Sequence, residues 1–229
     1  MAKKLLIVES PAKAKTIGKY LGGDFIVKSS VGHIRDLPKE NGAIKIAEDG
    51  DGRWTFTPSY EVSDGKAKVV KDLKTAVKSA GEIYLASDPD REGEAIAWHL
   101  REVLAPVAEG KPFYRVTYNE ITKSAVLKAV SEPGEINMPR VDAQQARRIL
   151  DRLIGYKVSP LLWKNVNCPN NRSLSAGRVQ SVAVRLIVDR ENAIRNYKKL
   201  EYWRISAQLE TPLRATIQAN LIRDKKQTI

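Results

Sequence analysis

Two periods alternate along this chain, and that alternation limits its fold more than any other feature. Residues 4–8, KLLIV, form a continuous apolar run of strand length. The next segment, PAKAKTIGKYLGG, has Pro11 where a first helical turn accepts it and Gly22-Gly23 where a helix stops. FIVKSS reads as a second strand. Residues 39–65 are rich in Gly, Asp and Asn with short aromatic runs, RWTF and SYEV, and predict loops and a hairpin. Residues 66–80 place Val69, Val70, Leu73, Ala76 and Val77 at helical spacing, and Gly81 ends that helix. EIYLA (82–86) is a third strand, residues 91–104 the next helix and FYRVTY (113–118) a fourth strand. Strands that alternate with amphipathic helices call for an α/β fold: a mostly parallel sheet with helices on both faces.

SEPGEINMPR (131–140) breaks this pattern and predicts a boundary. Beyond it the chain reads as helical. Residues 141–154 align Ala146, Ile149, Leu150, Leu153 and Ile154, and residues 178–194 align Val179, Val182, Leu186 and Ile187. From Tyr202 the pattern turns strand-like and stops without a closing element. Three parts are expected: an α/β domain over 1–140, a helical segment over 141–200 and the start of an incomplete β-rich domain over 201–229. A chain of 229 residues can bury a core without metal or disulfide staples. The single cysteine, Cys168, excludes an internal disulfide and fits a reducing, cytoplasmic setting. The opening MAKKLLIVES has too short an apolar run for a secretory signal or a membrane span.

Charge is distributed unevenly. The net charge is +12. Residues 1–140 hold 22 basic and 20 acidic side chains, whereas residues 141–200 hold 12 basic and only 4 acidic ones. Such a concentrated basic block is the footprint of a phosphate-backbone partner, the plainer reading being a solvated lysine- and arginine-rich surface.

Against this background SDPDREGEAIAWHL (87–100) packs Asp88, Asp90, Glu92 and Glu94 into seven residues. Asp88 and Asp90 follow directly on a strand and point the same way if the backbone is extended, as Pro89 favours for Asp88. Glu92 and Glu94 fall in the first turn of a helix, where acids are favoured, so capping accounts for these two more readily than for the aspartates. Glu9 also ends a strand. In open α/β sheets ligands bind at the carboxyl ends of the strands, and neighbouring first and third strands would bring Glu9, Asp88 and Asp90 together. Three carboxylates at short range repel unless a cation sits among them, and oxygen ligands suit Mg²⁺.

Several of these stretches carry a resemblance. LLIVESPAKAKTI, SSVGHIRDLP and LASDPDREGEAIAWHL resemble the Toprim domain shared by topoisomerases and bacterial primases. VDAQQARRILDRLIGYKVSPLLW and LSAGRVQSVAVRLIVDRE are similar to the first helical segment of the bacterial type IA DNA topoisomerases. The likeness runs from about residue 3 to residue 205. It implies a Toprim-type sheet and an ATP-independent, Mg²⁺-dependent isomerase. Such an enzyme cuts one DNA strand through a 5′-phosphotyrosine, passes the other strand and reseals the break. It further implies Glu9 as the proton donor to the 3′-oxygen and Lys13 as the charge facing the phosphoryl oxygens. Asp90 and Glu92 complete the catalytic set, and Glu9, Asp88 and Asp90 hold the metal. DNA contacts are expected from His33, Arg147, Arg148, Asp151, Tyr156 and Trp163, and from Ser175, Ala176, Gly177, Arg178, Val179 and Gln180 at the opening of a helix, where free N–H groups can face a phosphate. His99 is expected to be structural.

The expected partner is single-stranded DNA or locally unpaired duplex, with no membrane, and the chain is expected to act as a monomer in the bacterial cytoplasm. Two departures matter. None of the eight tyrosines lies in the family's ITYxRTDS-like nucleophile motif. The chain therefore reads as an N-terminal fragment that binds DNA and metal without relaxing DNA alone. The Asn- and Pro-rich link at 164–174 is longer than is usual in the family. A non-catalytic strand-binding module, or another Toprim enzyme such as a primase or nuclease, are the alternatives. LSAGRVQS argues against the primase or nuclease.

Overall fold

The computed structural model describes residues 3–40, 42–167 and 174–221. Cys168, the centre of the 164–174 link and residues 222–229 lie outside them. Two compact units divide at Gly177–Arg178.

The first unit is built on a four-stranded parallel sheet in the order β2-β1-β7-β8, formed by β1 (Lys4–Val8), β2 (Phe25–Ser29), β7 (Glu82–Ala86) and β8 (Phe113–Arg115). The expected neighbour relation of the first and third sheet strands holds: Lys4 pairs with Glu82 and Val8 with Ala86. Alternate residues of β1 serve opposite faces. Leu5 and Ile7 join Ile83 and Leu85 under α2 (Ala67–Ser79) and α3 (Arg91–Ala108), with Leu73, Val77, Leu100 and Leu104. Leu6 and Val8 join Tyr84 and Ala86 under α1 (Pro11–Leu21) and α4 (Lys123–Ser131), with Ile17 and Val126. A strand buried on both faces must be apolar throughout, and KLLIV and EIYLA read continuously for that reason.

The loops and hairpin expected over 39–65 contain an antiparallel pair, β4 (Ile44–Glu48) with β5 (Trp54–Pro58). A smaller pair joins β3 (Arg35–Asp36) to β6 (Glu61–Val62). The fourth sheet strand is shorter than expected, ending at Arg115 rather than Tyr118. Val116 and Tyr118 are nonetheless buried, and the Val116 N–H still donates to the Leu85 carbonyl of β7 at 2.9 Å, so the apolar alternation runs on past the strand's end. The helix after the boundary is longer than 141–154: α5 (Met138–Asn165) starts at the Asn137 cap, whose side chain accepts from the Arg140 N–H, and carries Pro160 inside it. It packs on α3 within the first unit. The division drawn at residue 140 is therefore one of sequence pattern rather than of packing.

The second unit holds α6 (Arg178–Arg195) and an antiparallel hairpin of β9 (Ser206–Glu210) and β10 (Thr216–Asn220). Val179, Val182, Leu186 and Ile187 of α6 are all exposed.

Candidate active site

Parallel order and register put the ends of β1 and β7 side by side, and each strand is followed by a helix start. After β1, Glu9 leads into Ser10, which caps α1 by accepting the Lys13 N–H, with Pro11 in the first turn. That cap orients α1 so that Lys13 lies one turn along it, over the sheet edge. Its ammonium donates to Glu9 Oε1 and, at 2.5 Å, to Asp88 Oδ1. Lys13 and Glu9 are largely buried, their side chains 19% and 20% exposed, whereas Asp88 is 45% exposed and faces outward. Burial opposes the Lys13 charge, but the bonds to Asp88 and Glu9 outweigh it and raise Lys13 above its ordinary value. Burial likewise works to raise the Asp88 carboxyl. Hydrogen bonds with Lys13 and Glu9 and the nearby Lys13 and Arg115 charges hold it below the usual range.

After β7 the chain turns sharply into α3. Asp90 is the N-cap of that helix, its Oδ1 accepting the Gly93 N–H at 2.7 Å. Gly93 lies directly against the Asp88 peptide: a Cβ there would sit 2.0 Å from the Asp88 carbonyl oxygen. Only glycine allows this approach.

The four acids thus separate by role, and not all as the sequence suggests. Glu94 is not a helix cap. It is buried and pairs with Arg115 at 3.1 Å, while its second oxygen accepts the Asn137 N–H. An aspartate at the cap position reaches the N–H of the third helical residue, whereas Glu94, one position farther on, faces the core. Glu92 lies 3.4 Å from His33 Nε2 and accepts from Gln144 Nε2 at 3.2 Å.

These oxygens fit a hard cation only in part. Glu9 and Asp88 converge on one point, and the positive group at that point is the Lys13 ammonium. Asp90 spends an oxygen on the helix cap. Among the described residues no three His, Cys, Asp or Glu side chains are grouped to hold a metal ion. The expected three-carboxylate set is therefore not assembled in this conformation.

A cavity of about 390 Å³ adjoins Glu92, lined by His33, Arg35, Asp36, Arg147, Arg148 and Asp151 among others. Arg147 lies 3.8 Å from Asp151, one turn along α5. Arg148 grips Asp36 with two parallel bonds, Nε to Oδ1 at 2.8 Å and Nη2 to Oδ2. Burial pushes Asp36 up, but the Arg148 bonds more than offset it and its carboxyl titrates below the ordinary value. Arg152 donates to the Leu37 carbonyl at 2.9 Å and stacks 4.6 Å over the Tyr156 ring. The Tyr156 hydroxyl donates to the Lys39 carbonyl. Arg148 and Tyr156, both expected to contact DNA, therefore also fasten residues 36–39, together with Arg152. Trp163 Nε1 donates to the Leu174 carbonyl at 2.7 Å, and the Ala176 N–H to Ser159 Oγ at 3.0 Å, so Ser175–Gly177 lies along α5. Arg178, Val179 and Gln180 open α6 in the second unit.

Sequence reasoning passed over Arg115, Asp36 and Gln144. The one available signal was the arginine in FYRVTY, a charge inside an apolar strand.

Comparison with known families matches residues 4–121 to the Toprim domain. The chain belongs to the Toprim family. Residues 135–228 match a second family, described as DNA topoisomerase, and the two together place the chain with the bacterial type IA topoisomerases. Among its Toprim relatives, DNA topoisomerase 1 of Escherichia coli (strain K12) is 51% identical over 235 residues, covering 93% of this chain and 26% of that protein. DNA topoisomerase 1 of Pseudomonas aeruginosa is 46% identical over 253 residues, covering 98% of this chain and 28% of that protein. The chain spans about a quarter of the length of the curated relatives it matches. The solved structure of full-length topoisomerase I from Thermotoga maritima superimposes with a TM-score of 0.77 at 43% identity, covering 98% of this chain and 35% of that one. Among the described residues no helix is long and apolar enough to cross a membrane.

Proposed function

We propose that this chain supplies the acidic half of a type IA topoisomerase active site and part of the surface that holds a single DNA strand. The observation that carries this reading is the Glu9–Lys13–Asp88 cluster at the carboxyl ends of adjacent parallel strands, beside an arginine-lined cavity. In the proposed cleavage, a tyrosine oxygen that has given its proton to solvent attacks the phosphorus, the bond to the 3′-oxygen breaks, and Glu9 delivers a proton to that oxygen as it leaves. Resealing runs the same steps backward: the 3′-hydroxyl attacks, returns its proton to Glu9 and releases the tyrosine oxygen, which takes a proton from solvent. Lys13, held between two acids, is placed to turn its ammonium to the phosphoryl oxygens as their charge rises. Glu92 bridges His33 and Gln144 and so holds the cavity wall next to that point. Glu9 and Asp88 are the residues that would hold Mg²⁺, with Asp90 joining once its cap bond is released. The ion would offset the negative charge of carboxylates and phosphate at close range.

Arg147 with Asp151, Arg148 and His33 border the cavity and are the proposed strand contacts there. Tyr156 and Trp163 offer aromatic faces farther along α5. Ser175 to Gln180 is the proposed phosphate-facing segment. The proposed setting is the bacterial cytoplasm, where the DNA is, with the chain acting as a monomer. We place the division of labour at residue 140, with the metal-binding part before it and the strand-holding part after it, and residues 201–229 beginning a further β-rich part. A module that binds strands without cutting them is the second reading, favoured by the missing tyrosine motif when the 229-residue chain acts alone.

Both readings predict binding to a labelled single-stranded oligonucleotide, measured by anisotropy, that weakens steeply with salt. Fusion to the tyrosine-bearing region of a relative separates them. The topoisomerase reading expects an SDS-stable protein–DNA adduct from the fusion and none from the chain alone, with Glu9→Gln slowing adduct formation by about 10²–10⁴-fold. An adduct from the chain alone, or a fusion indifferent to Glu9, would overturn it. Titration calorimetry should show Mg²⁺ binding weakened by Asp88→Ala, and binding unchanged by that substitution would remove the metal from the scheme.

A further inference from the structure

Arg115 is a charged side chain only 2% exposed, paired with Glu94 at 4%. Burying such a pair is costly, and well-packed apolar residues in its place are often as stable or more so. The donors show where the guanidinium is used. Its Nε donates to Glu94 Oε1 at 3.1 Å. Its Nη1 donates to the carbonyls of Leu85 at 3.1 Å, Ser87 at 2.8 Å and Val116 at 2.6 Å, and its Nη2 to the Asp88 carbonyl at 2.8 Å. Three of these carbonyls belong to the last residues of β7 and the turn that carries the reactive aspartate. The next carbonyl, of Pro89, accepts from Arg140 of α5 at 2.8 Å. Glu94 in turn receives the Asn137 N–H, where α5 begins. Ser87 Oγ closes the turn on the Gly93 carbonyl at 2.6 Å. The backbone beneath Asp88 is thereby fixed from the sheet, from α3 and from α5, while the Asp88 carboxylate itself is left exposed to meet Lys13.

We propose that Arg115 and Glu94 are positioning residues that set the Asp88 carboxylate on the Lys13 ammonium opposite Glu9. A lysine at 115 could not replace the guanidinium, because one ammonium has three donors and no planar fork with which to span Glu94 and the carbonyls of 85, 87, 88 and 116. The inference rests on reading Glu9, Lys13 and Asp88 as the reaction centre.

The test is nitrogen NMR of the lysine ammonium groups in the 229-residue chain. Lys13, bonded to two carboxylates, should give a slowly exchanging signal, identified by its loss in Lys13→Arg. Glu94→Gln keeps the side-chain shape but removes its charge and presents an amide donor to groups that already donate. It should speed Lys13 hydrogen exchange by about tenfold or more, as Asp88→Asn does, and Arg115→Lys should do the same. The control is Val77→Ala, a cavity in the core layer on the sheet face opposite α1. It should lower the melting temperature without changing the Lys13 signal, which separates positioning from general loosening.

A folded Glu94→Gln or Arg115→Lys chain with an unchanged Lys13 signal would overturn the proposal. So would loss of the fold in both, which would assign the pair to stability alone. Strand binding measured on the same samples keeps the two readings distinct. A chain that couples Lys13 to Glu94 but binds no DNA retains the positioning role and loses the proposed function.

Discussion

Gly93 shows how one missing side chain can set an active-site turn. An added Cβ would meet the Asp88 carbonyl oxygen at 2.0 Å, and that peptide is already fixed by Arg115. Gly93→Ala should destabilise the first unit by about 3 kcal/mol or more in denaturant unfolding, because neither backbone can yield without breaking the turn. His99 offers a different test. Buried at 2% exposure against Tyr60 and Trp98, it is held neutral, its pKa lowered to about 3 by burial and by the Arg35 and His33 charges. The folded chain therefore resists protonation that the unfolded chain accepts below about 6.5. Stability from this source is intact above that pH and is lost as pH falls from there toward 3. His99→Phe should flatten the decline in melting temperature between pH 7 and 4 relative to the unmodified chain. At this scale the sequence was partly legible. Glu9 and Asp88 could be placed because they end strands. The cap expected of Glu94 is made by Asp90, and Glu94 instead pairs with Arg115 in the core, because composition does not resolve which acid at a helix start is the cap.

Among the elements, α5 carries the most varied load. One end is tied to Glu94 through Asn137, and further along Arg148, Arg152 and Tyr156 fasten residues 36–39 by a bidentate ion pair and two carbonyl bonds. Arg148→Ala should release that loop. Limited proteolysis near Leu37–Lys39 should quicken, while global stability drops by only about 1 kcal/mol, since the pair with Asp36 is partly exposed. Long, strongly periodic elements were readable in advance, and short ones were not. Helix α4 was missed because it has a single buried position, Val126, behind its Thr122 cap, too little for a period to register. The extension of α5 across Pro160 was missed for the converse reason: a proline normally ends a helix, and here the helix runs past it to Asn165.

Over the whole molecule, the charge asymmetry is the feature that a solution measurement reads most directly. The basic excess of residues 141–200 spans the end of one compact unit and the start of the other. Substitution of a phosphate-contacting arginine should lower affinity by a similar factor for all sequences and reduce the slope of log affinity against log salt by about one. Arg147→Ala is the case to measure, and a slope left unchanged would remove it from the strand surface. The adjacency of β1 and β7 has a further consequence, in time rather than in space. Lys4 pairs with Glu82, roughly eighty residues along the chain, so the strand ends bearing Glu9 and Asp88 meet only after a long loop has closed. Local helices can form well before then. During synthesis the acidic cluster cannot exist until β7 has emerged, and Lys13 remains an ordinary solvated lysine until β1 and β7 pair.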